Sequence, residues 1–210
     1  MIKILIGDDH AIVRQGLKQI ILEGKGKCIC GEAENGQVVL DMLDKEEWDV
    51  VILDISMPGM SGLDILKEIK KVKPRLPVLV LTMHSEDQFA LRSIKAGASG
   101  YLTKDSAPEE LIKAINKVMD GGKYVNQQLA EILAADIERK AEGPLHDSLS
   151  DREYQVMRLI ASGKTAKQIA DELALSVKTI STYRARLLEK MKMKTNAELT
   201  YYAIQNKLVE

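Results

Sequence analysis

The sequence predicts a doubly wound α/β domain with a five-stranded parallel sheet, followed by a small all-α domain. Over about the first 120 residues, short apolar segments alternate five times with amphipathic segments, the pattern of a parallel sheet covered by helices on both faces. A length of 210 residues suits two small domains. Charge is uneven as well: residues 149–210 hold 11 basic and 7 acidic side chains, and the first 148 residues hold 19 and 24.

Strands are expected at residues 2–6, 27–33, 49–53, 77–81 and 101–102. The nearly unbroken apolar sequences at residues 2–6 and 50–53 are typical of strands that are buried on both faces. Helices are expected at residues 11–22, 37–45, 63–72, 87–96 and 108–119, where apolar side chains recur at helical spacing. If the strand order is 2-1-3-4-5, the first and third strands are neighbours at the point where the order reverses.

Polar side chains follow four of these strands. Asp8 and Asp9 follow the first strand, Asp54 the third, Thr82 the fourth and Lys104 the fifth. Ligands of open α/β sheets bind at the carboxyl ends of the strands, near the point where the order reverses. We therefore expect three carboxylates, a hydroxyl and a lysine to converge. Each has a commoner explanation when taken alone, such as an aspartate capping a turn, but five such placements together favour a site.

The chemistry of such a site follows from its charges. Clustered carboxylates repel one another unless a proton or a cation joins them, and hard oxygen ligands with open positions suit Mg²⁺. With Mg²⁺ and Lys104 neutralising phosphoryl oxygens, the carboxylate of Asp54 can attack phosphorus and become an aspartyl phosphate. Thr82 could then hydrogen-bond a phosphoryl oxygen and so report the modification.

The segments GDDH, VVILDISMPGMSG, LTMHS and GYLTKD together resemble the receiver domain of bacterial two-component response regulators, over about the first 120 residues. The resemblance implies that Asp54 is the phosphoacceptor, with Thr82 and Lys104 as the phosphate-sensing pair and Tyr101 as the switch aromatic. It implies these Mg²⁺ ligands: Asp8, Asp9, Asp54 and the backbone carbonyl of Ser56. Asp105 stands where many receivers carry a proline in a cis bond, which leaves the isomer of the Lys104–Asp105 bond open.

A linker is predicted between the two domains. Residues 127–139 show helical spacing, and residues 141–148 are polar with Gly and Pro, so we place the receiver at 1–121, a linker with a helix at 122–147 and the second domain at 148–210. His146 is expected to be solvated. Cys28 and Cys30 point to one face of a strand and are expected to be buried free thiols.

The second domain is predicted to contain a helix-turn-helix. Ser150 and Glu153 form a capping box that opens a helix ending at residue 161. Thr165 caps a second helix at 166–173, and Ser176 caps a third at 177–191 after a tight turn. A last helix is expected at 197–207, where it completes the bundle or pairs with another chain.

The segment LSDREYQVMRLIASGKTAKQIADELALSVKTISTYRARLLEKMKMK resembles the LuxR-type helix-turn-helix, and the two halves together resemble a NarL/FixJ-class response regulator. The family places the third helix in the major groove of DNA. The matching positions imply base contacts by Ser181, Thr182, Ala185 and Arg186, and phosphate contacts by Lys178, Thr179, Tyr183 and Arg184. Ser181 and Ala185 stand where relatives often carry lysine. Their short neutral side chains are expected to make fewer direct base contacts, so recognition of DNA shape is expected to compensate for the missing contacts. The last helix of the family supplies a dimer contact, which here would use Leu199, Tyr202 or Ile204.

The expected function is a switch and not an enzyme. A sensor histidine kinase phosphorylates Asp54, and the protein then dimerises and binds promoter DNA in the cytoplasm; no apolar segment is long enough to span a membrane. Three alternatives stay open. The first is a phosphorelay intermediate, which would not need the basic helix-turn-helix. The second is a flavodoxin-like cofactor binder, whose first loop would not carry the acidic segment GDDH. The third is a DNA-binding regulator that acts independently of phosphorylation.

Overall fold

The structure is a computed structural model, and it describes residues 1–57, 60–83, 87–138, 144–206 and 208–209. The chain divides into two compact units, Met1–Ala135 and Asp136–Glu210, which are described separately below. Among the described helices, none has the length and apolarity that a bilayer crossing requires.

The first unit contains a five-stranded parallel sheet. Its strands are β1 (Ile2–Gly7), β2 (Cys28–Ala33), β3 (Val50–Asp54), β4 (Val78–Thr82) and β5 (Gly100–Thr103). The order is β2-β1-β3-β4-β5, which confirms the predicted topology. Every residue of β3 and β4 is buried, as expected of apolar strands in the middle of a doubly wound sheet.

Helices connect the strands of this sheet. They are α1 (Ala11–Lys25), α2 (Gly36–Lys45), α3 (Gly62–Val72) and α4 (Asp87–Lys95). Two further helices follow β5, namely α5 (Ala107–Met119) and α6 (Gln127–Glu138), and α6 ends beyond Ala135, the last residue of the first unit. One core cluster joins β1, β3 and β4 to α1 and α5. Arg139, the predicted end of α6, and residues 140–143 of the predicted linker lie outside the described residues.

The second unit is helical. A short 3₁₀ helix (Leu145–Ser148) precedes α7 (Asp151–Ala161), α8 (Ala166–Glu172), α9 (Val177–Lys190) and α10 (Asn196–Gln205). The predicted capping box is present, because Ser150 Oγ accepts from Glu153 N while Glu153 accepts from Ser150 N. Thr165 and Ser176 cap α8 and α9 in the predicted places. An apolar cluster of α7, α8 and α9 packs the helix-turn-helix.

One prediction about this unit is wrong. His146 is 2% exposed, because its ring packs beside Tyr154 and Tyr202 and its Nδ1 lies 2.9 Å from the Tyr202 hydroxyl. Of the three residues named for a contact between chains, Leu199 is fully buried in its own unit, whereas Ile204 is 52% exposed.

Two predictions about the first unit are refined. Cys28 and Cys30 are free and lie on one face, with their sulfurs 3.9 Å apart, but both are half-buried because β2 is an edge strand of the sheet. The Lys104–Asp105 bond is trans, as are the other peptide bonds of the described residues.

Candidate functional site

An acidic cluster lies at the carboxyl edge of the sheet, at the point where the strand order reverses. Asp8 and Asp9 follow β1, and Asp54 is the last residue of the neighbouring β3. The side chains of Asp8 and Asp54 are each 1% exposed. Together with Asp9 and His10, they offer ligand atoms that all lie within 4.8 Å of one another. The predicted convergence of three carboxylates is therefore present.

Lys104 lies between two of these carboxylates. Its Nζ is 2.7 Å from Asp8 Oδ2 and 2.7 Å from Asp54 Oδ2. The backbone places it there, because the Lys104 N–H donates to the Thr82 carbonyl at 2.8 Å and so ties the end of β5 to the end of β4. Asp54 is held from its other side, where Oδ1 accepts from the Ser56 N–H at 2.8 Å.

The charges of the cluster are not balanced. Burial raises the pKa of Asp54 above its usual value, an effect that the Lys104 hydrogen bond and charge oppose and that the Asp8 carboxylate adds to. For Lys104, burial by itself lowers the pKa, but the carboxylates of Asp54 and Asp8 outweigh it and the pKa is raised. Lys104 brings one positive charge to three carboxylates, so a further cation is favoured at this edge. The donors are hard oxygens, which fits Mg²⁺.

Thr82 and Tyr101 lie on the two strands beyond Asp54. Asp54 pairs with Leu81 in the parallel register, so Thr82 is one residue past the level of Asp54, and it is completely buried. Tyr101 is 9% exposed, and its N–H donates to the carbonyl of Tyr124 at 3.1 Å. Both predicted switch residues are thus on the strands that lead to the cluster.

Two further residues touch the cluster that sequence reasoning did not assign. His10 Nδ1 is 2.9 Å from Asp9 Oδ1 and 3.4 Å from Asp8 Oδ1. Arg14 Nη1 donates to the backbone carbonyl of Asp8 at 2.8 Å and so holds the loop after β1. The position of His10 next to two aspartates could have indicated its contact with the cluster. The contact of Arg14 could not be predicted in this way, because it forms only when the first turn of α1 brings Arg14 back to the Asp8 carbonyl.

The third helix of the second unit, α9, presents the predicted DNA-contacting side chains. The exposed ones are Lys178, Ser181, Thr182, Arg184, Ala185 and Arg186, while Thr179 and Tyr183 are half-buried. Two of the hydroxyls bond within the helix, Ser181 to the Val177 carbonyl at 3.0 Å and Thr182 to the Lys178 carbonyl at 3.1 Å. The Thr179 N–H and hydroxyl both contact Ser176 Oγ and belong to the helix cap.

Two cations of α9 have partners on other helices. Arg184 Nε donates to Asn196 Oδ1 at the start of α10, at 2.6 Å. Lys190 Nζ lies 2.7 Å from Glu153 Oε2 and joins the end of α9 to the capping box of α7. The sequence contained no pattern that would have predicted either contact, since both join residues that are distant along the chain.

Comparisons with known proteins agree with this architecture. Residues 4–116 match the family described as the response regulator receiver domain, and residues 147–203 match the bacterial regulatory proteins of the luxR family. The chain therefore belongs to the two-component response regulators that join a receiver domain to a LuxR-type DNA-binding domain. It is of the NarL/FixJ type within that family, which regulates transcription.

Individual relatives match along the whole chain. The response regulator GacA of Pseudomonas aeruginosa is 36% identical over 100% of this chain and 99% of its own length. The response regulator UvrY of Escherichia coli K12 is 37% identical over 99% of this chain and 96% of its own length. Among solved structures, RcsB from Salmonella enterica serovar Typhimurium, bound to the promoter rprA in the presence of the phosphomimetic BeF3-, is similar with a TM-score of 0.64 and 30% identity over 96% of this chain and 98% of that chain.

Proposed function

We propose that this response regulator is switched by phosphorylation of Asp54 and that the switched form binds promoter DNA. The observation that carries the proposal is the contact between the buried Asp54 carboxylate and Lys104 at 2.7 Å, beside two further carboxylates at the carboxyl edge of the sheet. A buried carboxylate with a raised pKa and an excess of neighbouring negative charge is a candidate functional group. The donor is a sensor histidine kinase, by analogy with the family.

The reaction needs a nucleophile and groups that neutralise the phosphoryl oxygens. One carboxylate oxygen of Asp54 attacks phosphorus in line, a bond from phosphorus to this oxygen forms, the phosphorus–nitrogen bond of the donor phosphohistidine breaks, and the imidazole nitrogen leaves with the electron pair and takes up a proton. Lys104 Nζ is already beside Asp54 Oδ2 and neutralises a transferred oxygen. Four groups would hold Mg²⁺, which supplies further neutralisation when bound: Asp8, Asp9, Asp54 and the backbone carbonyl of Ser56.

The phosphoryl group then changes the balance of the receiver. It places new oxygens at the level of Thr82. The Thr82 hydroxyl moves toward one of these oxygens and donates to it, and Tyr101 on the adjoining strand turns inward as Thr82 moves. Phosphorylation of the receiver thereby raises the affinity of α9 of the DNA-binding domain for DNA. A change of about tenfold in DNA affinity needs only about 1.4 kcal/mol of difference between the two states.

In the phosphorylated protein, α9 enters the major groove of promoter DNA. Base contacts are assigned to Ser181, Thr182, Ala185 and Arg186, and phosphate contacts to Lys178, Thr179, Tyr183 and Arg184. The phosphorylated form is a homodimer that reads inverted half-sites in the cytoplasm, and Ile204 of α10, 52% exposed, is a candidate for the two-fold contact. The functional domains are taken as residues 1–121 and 148–210, joined by 122–147. The similar RcsB structure contains both promoter DNA and a phosphomimetic, which supports the proposal that the phosphorylated form binds DNA.

The experiment compares DNA binding with and without phosphorylation. Purified full-length protein is incubated with Mg²⁺ and acetyl phosphate, the phosphoryl group is detected by intact mass, and binding to a pool of genomic fragments is measured over a salt series. Asp54→Asn should neither gain mass nor bind more tightly. The matched control is Asp105→Asn, an exposed aspartate next to Lys104, which should behave as the wild type.

The outcomes separate the alternatives. Tighter binding to selected fragments after phosphorylation supports the switch and identifies the target sites. Tight binding in both states would show that the receiver does not gate the DNA-binding domain. Mass gain without binding to any fragment would instead support a phosphorelay intermediate.

A further inference from the structure

The imidazole of His10 lies at the solvent side of the acidic cluster. Its Nδ1 is 2.9 Å from Asp9 Oδ1 and 3.4 Å from Asp8 Oδ1. The ring is 63% exposed, whereas the Asp8 side chain beside it is 1% exposed. The imidazole therefore stands between bulk water and the buried carboxylates, where an incoming ion would meet it.

The backbone holds His10 in this place. His10 is the N-cap residue of α1, with extended φ and ψ of −89° and 109°, and its own side chain makes no capping hydrogen bond. The His10 N–H donates to Asp8 Oδ1 at 2.8 Å, and its carbonyl accepts from the N–H groups of Val13 and Arg14. These contacts hold the main chain of His10 beside the cluster, and from there its ring contacts Asp9 and Asp8.

The spacing of the donor atoms suits a single ion. One oxygen from each of Asp8, Asp9 and Asp54 and one ring nitrogen of His10 all lie within 4.8 Å of one another. An octahedral ion with bonds of about 2.0 to 2.1 Å separates opposite ligand atoms by about 4 Å. A small closing movement of the four side chains would therefore bring all four atoms to one ion.

We propose that His10 donates an imidazole nitrogen to the ion held by the aspartates and thereby widens its cation range from Mg²⁺ to borderline divalent transition ions such as Co²⁺ and Ni²⁺. The inference rests on the proposed metal site of the receiver. Carboxylate and carbonyl oxygens suit Mg²⁺ and Mn²⁺, whereas imidazole nitrogen suits Ni²⁺, Zn²⁺ and Cu²⁺. The three aspartates set the affinity for all of these ions, and His10 sets the preference among them.

The test measures metal binding directly and does not depend on phosphorylation. Dissociation constants for Mg²⁺, Co²⁺ and Ni²⁺ are measured by titration on the tag-free full-length chain and on two variants, His10→Phe and Asp9→Asn. The phenylalanine keeps an aromatic ring at the N-cap and removes the nitrogen donors. Pulsed electron paramagnetic resonance of bound Cu²⁺, one of the ions that imidazole suits, supplies a second measurement, because a coordinated imidazole gives a ¹⁴N modulation.

The expected result is a selective loss. In His10→Phe, affinity for Co²⁺ and Ni²⁺ should fall by about 10-fold to 100-fold, while Mg²⁺ affinity changes little and the ¹⁴N modulation disappears. In Asp9→Asn, affinity for every ion should fall, because an oxygen ligand common to all of them is lost. Circular dichroism checks that both variants keep the wild-type helix content.

Other outcomes overturn the inference in distinguishable ways. If Mg²⁺ binds the wild type and His10→Phe keeps its Co²⁺ and Ni²⁺ affinity or its ¹⁴N modulation, His10 only forms an ion pair with Asp9, and the proposed function stands without this inference. If none of the ions binds the wild type, the metal site of the proposed function fails as well.

Discussion

Each unit of this protein buries a carboxylate against a lysine. The two lysine–carboxylate distances are the same, but the pKa of one carboxyl group is raised and that of the other is lowered. Asp54 Oδ2 lies 2.7 Å from Lys104 Nζ in the receiver, and Glu153 Oε2 lies 2.7 Å from Lys190 Nζ in the helical unit. The two carboxylate side chains are 1% and 4% exposed. Geometry between the partners therefore does not distinguish a reactive site from a structural contact.

The surroundings of each carboxylate make the difference. The pKa of Asp54 is raised, because burial is the largest influence and the Asp8 carboxylate adds to it. The pKa of Glu153 is lowered although burial opposes this, because Lys190 and the Ser150 N–H, which donates at 2.8 Å, both favour the charged form. Hydrogen bonds from Ser150 and Lys190 stabilise the charged form of Glu153 and make it a structural residue. Burial, to which the Asp8 charge adds, disfavours the charged form of Asp54, so that an additional cation would stabilise it.

Removing Glu153 should have the largest effect on stability. Glu153→Ala deletes the acceptor of the Ser150 N–H and the partner of Lys190, which should cost the helical unit about 2 kcal/mol. Urea unfolding followed by circular dichroism should show the earlier loss of helix. The single tryptophan, Trp48, is buried in the receiver unit, so its fluorescence midpoint should stay unchanged.

The control for this substitution is Glu189→Ala, an exposed acid on α9, which should change the free energy of unfolding by less than about 0.5 kcal/mol. Equal shifts for the two variants would contradict a structural role for Glu153.

Asp54→Asn should change the free energy of unfolding less than Glu153→Ala does, and it should stabilise the protein instead of destabilising it. A carboxyl group whose pKa is higher in the folded protein than in the unfolded chain has a charged form that disfavours folding. Asparagine keeps the shape without the charge, so the receiver should be unchanged or gain up to about 1 kcal/mol in metal-free buffer, measured by Trp48 fluorescence in urea. Added Mg²⁺ should stabilise the wild type more than the variant. A clear loss of stability in metal-free buffer would show that the Lys104 contact outweighs the cost of burying the Asp54 charge beside Asp8.

The acid dependence of the helical unit should follow Glu153. Because its pKa is lowered below the usual 4.5, its charged form stabilises the folded state above that pH, and this contribution is lost as the pH falls through the lowered value. Unfolding followed by circular dichroism between about pH 6 and pH 3 should therefore show a shallower loss of stability in Glu153→Gln than in the wild type. Parallel curves for the two proteins would exclude Glu153 as a source of the acid sensitivity.

Asn196→Ala should have the smallest effect. It frees the guanidinium of Arg184, whose Nε now donates to Asn196 Oδ1 at 2.6 Å, and so weakens an oriented phosphate contact. Affinity for all DNA fragments should fall by about twofold to fivefold with the order of preference unchanged, measured on the fragment pool. Gln205→Ala, an exposed change near the end of α10, is the control. A changed order of preference would mean that Arg184 reads bases.

Much of the fold could be predicted because its signals are local. The apolar sequences of β1, β3 and β4 indicated burial on both faces and hence a parallel sheet, and the order 2-1-3-4-5, assumed at that point, is the order observed. The capping pair Ser150 and Glu153 set the start of α7 within one turn of chain. The acidic cluster was also predictable, since carboxyl ends of neighbouring parallel strands must meet at one edge of the sheet.

The misjudged residues depended on neighbours that are distant in sequence. His146 was expected in solvent because its local segment is polar, but Tyr202, 56 residues later, packs against it. Cys28 and Cys30 were expected to be buried, but their strand is at the edge of the sheet, which leaves them partly exposed.

The amino-acid sequence by itself determined the class of each domain and the succession of helices and strands, because periodicity and caps act over a few residues. It also indicated that Asp8, Asp9 and Asp54 meet, because they follow strands that are neighbours in the expected order. Only the tertiary structure decided that Lys104 is shared by two carboxylates, that His10 faces the cluster, and that Glu153 and Asn196 hold cations of α9. Those contacts depend on the positions of side chains that come from separate helices and strands. The burial of each charged group, together with its hydrogen-bond partners, then determines whether its charge is stabilised.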